Sequence, residues 1–425
     1  MSTLDNSDLN TLTDNNDGKG GTTDADSIEN SRSKGEHASI VAAHYNHIED
    51  KGLRERFNSP IFYLRNFNNW VKSVLIQEYI DKVKEKDYGK ALKVLDICCG
   101  KGGDLSKWQK ARVDHVVFAD IAEVSVQQCQ TRYEDLKRRQ SHLFSAEFIA
   151  VDCTKAALRH KYRDPSINFD LVSCQFGLHY SFESLGQARR MLTNISECLR
   201  PGGYFFGTIP NAYEIVSRAQ KSLNNMFENR IYKIKLLFDP KNGYPLFGAK
   251  YDFHLEGVVD CPEFLVNFKL FVKLAAEYGL ELVYQAGFSD FYNDYSVNYK
   301  QLIQRIMCFE SYPPPHGKEL MGDEAEYEHA KVFWESNNLK TEDTCLGTMS
   351  SCEWEVATSE LSRFDSGARF RESGSGATAA AVAVAGARFR YVCARGGHGV
   401  RCAVRCHDAD VLHSVRARKL LPASL

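Results

Sequence analysis

Residues 94–108, VLDICCGKGGDLSKW, decide the fold of this chain. They read as a buried apolar strand, a glycine-rich turn and the start of a helix. The turn does not match a phosphate-binding P-loop, because Gly103 is followed by Asp104 and not by the Lys and Ser or Thr that such a loop requires. It is also a poor dinucleotide fingerprint, because Cys98 stands at the first glycine position.

Three acidic residues accompany this turn. Asp96 lies inside the first strand, Asp120 ends the next strand, and Asp152 follows the third in AVDC. Asp120 comes about 20 residues after the turn, as do the carboxylates that accept hydrogen bonds from a ribose diol. The alternative is that these acids only end strands in solvent. With the turn, the pattern resembles the S-adenosylmethionine-dependent methyltransferases, in which Asp152 would receive the adenine amino group.

Strand and helix patterns alternate through the middle of the chain. The runs LKVLDICC, HVVFAD, AEFIAVDC, FDLVSCQF and GYFFGTIP are separated by helical stretches such as VSVQQCQTRYEDLKRR. This alternation predicts an α/β fold, a Rossmann-like class I methyltransferase sheet with helices on both faces and its ligand at the carboxyl ends of the strands. Hairpin-like patterns predict a substrate-side lobe inserted at about residues 211–262.

The two ends of the chain differ in composition from its middle. Residues 1–36 are mostly Asn, Asp, Ser, Thr and Gly, and we predict a disordered acidic tail because so polar a segment cannot offset the entropy of ordering. Residues 37–359 are predicted to form the catalytic domain. Residues 360–425 are rich in Ala, Arg and Gly, a shift that is typical of an alternative exon or a shifted reading frame, and we expect this divergent tail to be disordered.

Charge and hydropathy limit the possible classes of protein. The 425 residues include 53 Lys plus Arg and 55 Asp plus Glu, so an anionic ligand must be held by a local basic cluster. No apolar run reaches about 18 residues and no apolar signal segment begins the chain, which argues against membrane insertion and secretion. We expect the 13 cysteines to be reduced thiols of an intracellular protein.

Metal binding through cysteine is a weaker alternative. The adjacent thiols of Cys98 and Cys99 would form a strained disulfide and a poor chelate, and we expect Cys99 to be a small buried residue. We therefore predict no metal site. The tail residues that lack the paired spacing of a zinc site are Cys393, His398, Cys402, Cys406 and His407.

Longer motifs resemble one particular methyltransferase family. FYLRNFNNWVKSVLI, CCGKGGDLSKW, ADIAEVSVQQCQTRYEDLK, SCQFGLHYSFES, PGGYFFGTIPN, YPLFGAKYDFHLEGVVDCPEFLV and LGTMSSCEWE are similar to segments of the eukaryotic mRNA cap guanine-N7 methyltransferases. They follow family order from about residue 40 to 357. The resemblance implies an enzyme that transfers the methyl group of S-adenosyl-L-methionine to N7 of the terminal guanosine of the mRNA 5′ cap.

The resemblance also implies two sets of site residues. Cys98 stands where the family has a glycine that touches the cofactor, and we expect its side chain to tighten the space beside the methionine part. The cofactor set is Lys72, Cys98, Asp120, Asp152, Gln175 and Tyr180. The cap set is Asn68, Asn69, Lys101, Lys107, Arg132, His179 and Glu263.

Each cap assignment has a physical reason and a simpler alternative. Lys101, Lys107 and Arg132 would neutralise the triphosphate bridge, or else form a solvated basic face. Glu263 would accept the N1 and N2 protons of guanine, or else be a first-turn helix carboxylate. His179 would pack on the base, although a lone His is more often structural. Guanine N7 carries a lone pair and no proton, so we expect positioning and electrostatics without a general base.

The C-terminus departs from the family pattern. Family members continue after the EWE motif into an apolar antiparallel strand between the fifth and the next-to-last strands, whereas here Glu355 is followed by VATSELSRFDSG. The pattern predicts that this strand is missing, which would leave two backbone ladders unpaired. The candidate substitute is the Ala-rich run 377–394 with Tyr391, although small strands pack weakly. We therefore expect lower stability or impaired activity.

Alternative functions follow from this departure. The chain is either an active cap methyltransferase or a catalytically impaired isoform that retains cofactor, RNA or partner binding. A small-molecule methyltransferase on the same fold is a third, weaker interpretation. The family's role implies 5′-capped RNA as partner, a small activating subunit, the transcription and capping machinery, a nuclear location and no membrane association.

Overall fold

The computed structural model describes residues 36–48, 52–339, 344–359, 362–368, 391–396 and 399–404, and beyond residue 359 it describes the backbone alone. The predicted disordered tail, except for Glu36, lies outside the described residues. None of the helices in the described ranges has the length and apolarity that a membrane span requires.

Helices and strands alternate along the described chain. The helices are α1 (Glu36–His47), α2 (Leu53–Phe57), α3 (Phe62–Lys86), α4 (Leu105–Ala111), α5 (Glu123–Arg139), α6 (Leu185–Ser196), α7 (Ala212–Lys221), α8 (Phe268–Glu277), α9 (Phe288–Tyr295), α10 (Lys300–Ile306), α11 (Glu328–Ser336) and α12 (Ser351–Ser359). The strands are β1 (Lys93–Ile97), β2 (His115–Asp120), β3 (Ser145–Ala150), β4 (Phe169–Gln175), β5 (Leu199–Ile209), β6 (Met226–Glu228), β7 (Tyr232–Leu236), β8 (Lys250–Leu255), β9 (Val259–Phe264), β10 (Leu280–Gly287), β11 (Glu310–Tyr312), β12 (Thr344–Thr348), β13 (Ser362–Ala368), β14 (Tyr391–Gly396) and β15 (Gly399–Val404).

A seven-stranded sheet with the order β10-β13-β5-β4-β1-β2-β3 forms the centre of the molecule. Strands β1 to β5 are parallel, and Ile97 of β1 pairs with Ala119 of β2 on one side and Cys174 of β4 on the other. The chain changes direction along the sheet between β1 and β4, which is where open α/β sheets bind ligands. This architecture confirms the predicted α/β fold.

Helices cover both faces of the sheet. On one face Tyr79 of α3 and Trp108 of α4 are fully buried, and the ring of Tyr79 stacks on Phe206 of β5 with centroids 4.9 Å apart. On the other face Leu192 of α6 and Phe271 of α8 pack on the sheet. Because both faces are covered, all seven residues of β4 are buried.

A four-stranded antiparallel sheet, β6-β7-β8-β9, forms the predicted lobe. Buried and exposed residues alternate along Tyr232–Leu236, as expected for a sheet with one face in water. The buried face joins Phe67 and Trp70 of α3 and Phe291 of α9 in a separate core. This lobe lies beside the first half of α3 and forms part of the site described below.

The strand that was predicted to be missing is present. Residues Ser362–Ala368, SRFDSGA, form β13, which runs antiparallel between β5 and β10 and places Phe364 opposite Gly207 and Gln285. The prediction was wrong because it judged the segment by its apolarity, whereas a ladder needs only extended backbone with free donors and acceptors.

The Ala-rich run therefore does not replace that strand in the described structure. Its described part, β14, pairs with β12 and β15 in a third sheet of order β11-β12-β14-β15. The predicted domain limit at residue 359 stays a prediction, but the central sheet uses backbone from beyond it. The rest of residues 360–425, outside β13 to β15, is not among the described residues.

Candidate active site

The glycine turn after β1 has a left-handed backbone at several positions. Cys98 has φ 59°, Gly100 51° and Gly102 73°. A Cβ on Gly102 would lie 2.6 Å from the Cys129 sulfur and 2.7 Å from Leu105 Cδ1, so glycine is required there by space as well as by conformation. Cys98 adopts this conformation with a side chain, which costs on the order of 1 kcal/mol or more.

Asp120 at the end of β2 holds the turn in place. Its carboxylate accepts hydrogen bonds from the backbone amides of Gly100 and Ala122, each at 2.8 Å. Burial raises the pKa of Asp120 above its ordinary value, and these backbone hydrogen bonds oppose the rise. The backbone amide of Ile121 also contributes, so that three amides share the roughly four acceptor positions of this carboxylate, and one position is left for a further donor.

A cavity of about 500 Å³, called here the first cavity, opens at the carboxyl ends of β1, β2 and β4. This volume lies within the range of small-molecule sites. The structure brings together here all six residues of the cofactor set: Lys72, Cys98, Asp120, Asp152, Gln175 and Tyr180. Four residues of the cap set line the same cavity: Asn68, Lys101, His179 and Glu263.

Glu263 is the centre of a buried hydrogen-bond network in this cavity. Tyr251 donates to its Oε2 at 2.6 Å and Tyr180 to its Oε1 at 3.0 Å. The Nε2 of His179 lies 3.2 Å from Oε1, and the hydroxyl of Tyr45 in α1 lies 3.1 Å from that of Tyr180. This network connects the lobe, the end of β4 and the first helix.

The charge of the Glu263 carboxylate is preserved despite its burial. Burial by itself raises the pKa of Glu263, but the charge of His179 and hydrogen bonds from His179, Tyr251 and Tyr180 lower it, and the pKa lies below its ordinary value. The site therefore presents an ionised acceptor at neutral pH.

A buried ion-pair network lies beside the first cavity. Asp104 contacts Lys72 at 2.9 Å and Lys107 at 2.8 Å, and Lys107 also donates to Asn69 Oδ1 at 2.5 Å. Burial would raise the pKa of Asp104, but the charges of Lys107 and Lys72 lower it below its ordinary range. Lys107 is 7% exposed and lines neither of the two cavities described, so the structure does not bring it to the predicted phosphate position.

A second cavity of about 660 Å³ adjoins the first. Asn69, Lys101 and Arg132 of the cap set line it, and Lys101 lines both cavities. The guanidinium of Arg132 donates to the Lys101 carbonyl at 2.8 Å, and the Lys101 ammonium donates to the Ile48 carbonyl. These contacts fix two cations at the junction of the cavities.

Three residues of the site were not predicted from the sequence. Tyr251 bonds to Glu263 and Tyr45 to Tyr180, and no local spacing in the sequence marks either tyrosine as part of this network. Asp104 served only to exclude a P-loop, although its position three residues before Lys107 on a helix start is a signal for an ion pair.

Thiols near the turn lie in pairs without bonding to each other covalently. Cys98 lies beside Cys174, and Cys99 lies beside Cys129. In each pair the neighbouring thiol and burial raise the pKa of the first thiol. Within the described ranges no group of three or more His, Cys, Asp or Glu could hold a metal ion. Of the tail alternatives, His398, Cys406 and His407 lie outside the described residues, and Cys393 and Cys402 are described by backbone alone.

The fold and site together define a class of protein. A parallel sheet with the order 3-2-1-4-5, a glycine turn after the first strand and a carboxylate that ends the second are the features of a Rossmann-like methyltransferase. Residues 28–363 match the family model of the mRNA (guanine-N(7))-methyltransferase domain. The chain belongs to the mRNA (guanine-N(7))-methyltransferase family.

Relatives across eukaryotes agree with this assignment. The mRNA cap guanine-N(7) methyltransferase of Drosophila melanogaster is 47% identical over 328 residues, 75% of this chain and 74% of that protein. That of Caenorhabditis elegans is 40% identical over 332 residues, 75% of this chain and 84% of that protein. A solved S-adenosylmethionine-dependent methyltransferase from Clostridium acetobutylicum is a remote likeness, with 14% identity, a TM-score of 0.36 and coverage of 50% of this chain and 82% of that one.

Family membership confirms the resemblance drawn from the motifs. The chain is a methyltransferase of the mRNA cap guanine, and S-adenosyl-L-methionine is its cofactor. The small-molecule alternative is not supported. Which residues hold each substrate is a separate question, because the family model does not assign them.

Proposed function

We propose that the first cavity holds the cofactor and the cap guanine side by side for methyl transfer to N7. The observation that carries this proposal is the continuous lining shared by all six cofactor candidates and four cap candidates. A crevice at the carboxyl ends of β1 and β4 is also where open α/β sheets bind ligands.

The residues at the sheet end fit the cofactor. Asp120 accepts from three backbone amides and keeps an acceptor position for a ribose hydroxyl. Asp152 is oriented by Thr154, whose amide and hydroxyl both donate to Oδ1. Its Oδ2 lies 3.4 Å from the exposed ammonium of Lys155 and has a second lone pair for the adenine amino group. When bound, S-adenosyl-L-methionine supplies an electrophilic methyl group on a positively charged sulfur.

Glu263 selects guanine at the opposite wall. Its Oε2 takes one hydrogen bond from Tyr251 and keeps a lone pair for guanine N1–H or N2–H. Adenine would present an unprotonated N1 to this carboxylate and would leave a buried charge without its donor. His179, which is 2% exposed, orients Glu263 and packs beside Tyr180, with ring centroids 4.2 Å apart.

The protein contributes alignment and electrostatics, and no general base is required. Guanine N7 has a lone pair in the ring plane and no proton to lose. Holding the base in line with the methyl group is worth roughly 7–11 kcal/mol in favourable cases. The ionised Glu263 also stabilises the positive charge that develops on guanine during transfer.

The cations at the junction of the two cavities bind the triphosphate. Lys101 and Arg132 lie there, and the Arg132 guanidinium is held by the hydrogen bond that it donates to the Lys101 backbone carbonyl. For Lys107 we propose a supporting role, because it pairs with Asp104 and holds the amide of Asn69. Asn68 lines the first cavity, and its buried Oδ1 has no hydrogen-bond partner among the described residues and is available to a ligand.

The cellular setting follows from the reaction. The substrate is 5′-capped RNA, which supports a nuclear location on nascent transcripts and contact with the transcription and capping machinery. A small activating subunit remains an expectation of the family resemblance. The alternative of an impaired isoform rests on the divergent tail, and the presence of β13 weakens it.

Incubation of the purified protein with labelled cofactor and GpppG-capped or 5′-triphosphate RNA tests this function. We expect label on the cap guanine of the first RNA and much less on the second. Cofactor binding without transfer would support the impaired isoform. Equal label on both RNAs would contradict cap recognition by the first cavity.

A further inference from the structure

The second cavity extends beyond the cations assigned to the triphosphate. Arg56 and Phe57 of α2 and Phe62 of α3 line this cavity and not the first one, whereas Arg65 of α3 lines both. Phe57 is 51% exposed, and its ring lies 5.1 Å from that of Phe62 at an angle of 31°. A large exposed aromatic side chain beside a second ring forms a platform that protein packing does not require.

Positive charge dominates the lining of this cavity. Arg56, Arg65, Lys101 and Arg132 line it, whereas Asp260 is the one acid among its described lining residues. The Asp260 side chain is 76% exposed, and its Oδ1 lies 3.4 Å from His254 Nδ1. The cavity therefore favours an anionic ligand.

Two guanidinium groups, those of Arg56 and Arg65, line this cavity. Burial and then the charge of Arg56 lower the pKa of Arg65. Arg65 is held by a hydrogen bond that its Nη2 donates to the Gly257 carbonyl at 3.1 Å. A phosphate in the cavity can accept charge-assisted hydrogen bonds from guanidinium groups of this kind.

The two cavities adjoin each other. Arg65, Lys101 and Gly257 line both of them. With guanosine in the first cavity and the triphosphate at Lys101 and Arg132, the next part of the substrate would enter the second cavity, whose lining adds Phe57, Phe62 and Arg56.

We propose that the second cavity binds the first transcribed nucleotide and the phosphate after it. The base stacks on the Phe57–Phe62 platform, and the phosphate binds Arg56 and Arg65. Stacking on aromatic rings tolerates any base, so this subsite distinguishes RNA from a free cap without reading sequence. The proposal rests on the proposed function, which sets the direction of the RNA.

Three methyl acceptors of increasing size separate the parts of this subsite. GTP carries guanosine and triphosphate, GpppG adds the first nucleoside, and GpppG-capped RNA of five nucleotides adds the following phosphates. KM is measured for each acceptor with the wild-type full chain and with Phe57→Ala, Arg56→Ala and Arg56→Lys.

Each variant has its own expected pattern. Phe57→Ala should raise the ratio of the KM for GpppG to the KM for GTP by about five- to tenfold, because stacking is lost with the first nucleoside. Arg56→Ala should raise the ratio of the KM for RNA to the KM for GpppG by about three- to fivefold and make the salt dependence of RNA binding shallower by about one phosphate contact. Arg56→Lys should recover part of the loss.

Matched controls keep the test specific. Tyr88→Ala removes an aromatic ring just after α3 that is 97% exposed. Arg189→Ala removes a guanidinium beside Glu277 that is 47% exposed. Neither residue lines the cavity, so both variants should behave as wild type. Equal KM changes for all three acceptors, or none, would overturn the proposal. Failure of the wild-type chain to methylate any acceptor would instead count against the proposed function.

Discussion

The carboxylate of Glu353 accepts a hydrogen bond from the backbone amide of Leu64 at 2.9 Å and so joins α12 to the first turn of α3. The helix that it holds carries Asn68, Asn69 and Lys72, which line the two cavities. Burial raises the pKa of Glu353 to about 7, although the hydrogen bond from Leu64 opposes the rise. A residue of the EWE motif therefore positions the site without lining it.

Glu353 should make stability depend on pH. The folded-state pKa of about 7 lies above the ordinary value of 4.5, so the folded chain binds the proton more tightly than the unfolded chain. The free energy of unfolding should then fall as the pH rises from about 4.5 to about 7 and change no further above it. Asp96, whose pKa is also raised to about 7 by burial and by Asp104, acts in the same direction.

Replacement of this carboxyl provides the measurement. The free energy of unfolding of Glu353→Gln should fall less between pH 5 and 7 than that of the wild type. At pH 8 the variant should be more stable than the wild type by on the order of 1–3 kcal/mol. Urea unfolding of both proteins at several pH values measures this difference. The lowered pKa of His115 also makes stability depend on pH, but this contribution is the same in both proteins and cancels in the difference. The exposed Glu335→Gln on α11 is the control, and equal slopes for all three proteins would contradict the assignment.

Glu263→Gln should impair cap recognition while the fold is kept. The amide oxygen still accepts a hydrogen bond from one tyrosine, but the negative charge that pairs with guanine donors is lost. We expect the KM for capped RNA to rise about tenfold or more with cofactor affinity changed less than twofold. Methyl-transfer kinetics and calorimetric cofactor titration check this, and near-normal methylation by folded protein would exclude the role.

Loss of Asp120 should act at the cofactor. Asp120→Ala removes both the ribose acceptor and the support of the Gly100 amide, so cofactor affinity should fall at least tenfold, more than stability is affected. Calorimetric titration with the cofactor, alongside a thermal melt, separates the two effects. A melting temperature that falls while cofactor affinity stays unchanged would show that Asp120 only supports the turn.

Cys98 and Gly177 are sterically complementary. A Cβ on Gly177 would lie 2.4 Å from the Cβ of Cys98 and 2.7 Å from its sulfur. Gly177→Ala should therefore destabilise the protein by about 1–3 kcal/mol through overpacking. Cys98→Gly should widen the space beside the methionine part and raise cofactor affinity several-fold, and the double variant should recover the stability lost by Gly177→Ala.

Calorimetry and thermal unfolding of the three variants test this pair. Unchanged cofactor affinity in Cys98→Gly would show that its side chain only fills space against β4. Independent, additive effects on stability would contradict the contact between the two positions.

A chain that ends after residue 370 should remain active, and one that ends after residue 360 should not. The shorter chain lacks β13 and leaves the facing ladders of β5 and β10 unpaired, whereas the longer chain loses only β14 and β15 from the third sheet. Soluble yield, melting temperature and cap methylation of both truncations measure this. Equal activity would mean that the sheet does not need β13.

The sequence predicted those parts of the fold and site that depend on neighbouring residues, namely the strands and the side chains at their ends. Consecutive strands of a parallel sheet place their carboxyl ends together, so Asp120, Asp152 and Gln175 come into one cavity wherever the strand pattern is recognised. Tyr45 reaches Tyr180, and Tyr251 reaches Glu263, only through the packing of α1 and the lobe. The burial of Lys107 could not be predicted from the sequence either, since a lysine in a basic motif is usually exposed.

The seven residues of β13 lie between the edge strand β10 and β5 and are held by main-chain hydrogen bonds to both neighbours. Such a position accepts almost any short, proline-free sequence, because peptide groups are common to all residues. The identity of the side chains therefore matters less in this strand than in β1, where four of the five residues are buried. A different C-terminal sequence can complete the sheet at this position while the first cavity stays intact, because none of the described lining residues of that cavity lies beyond Val356.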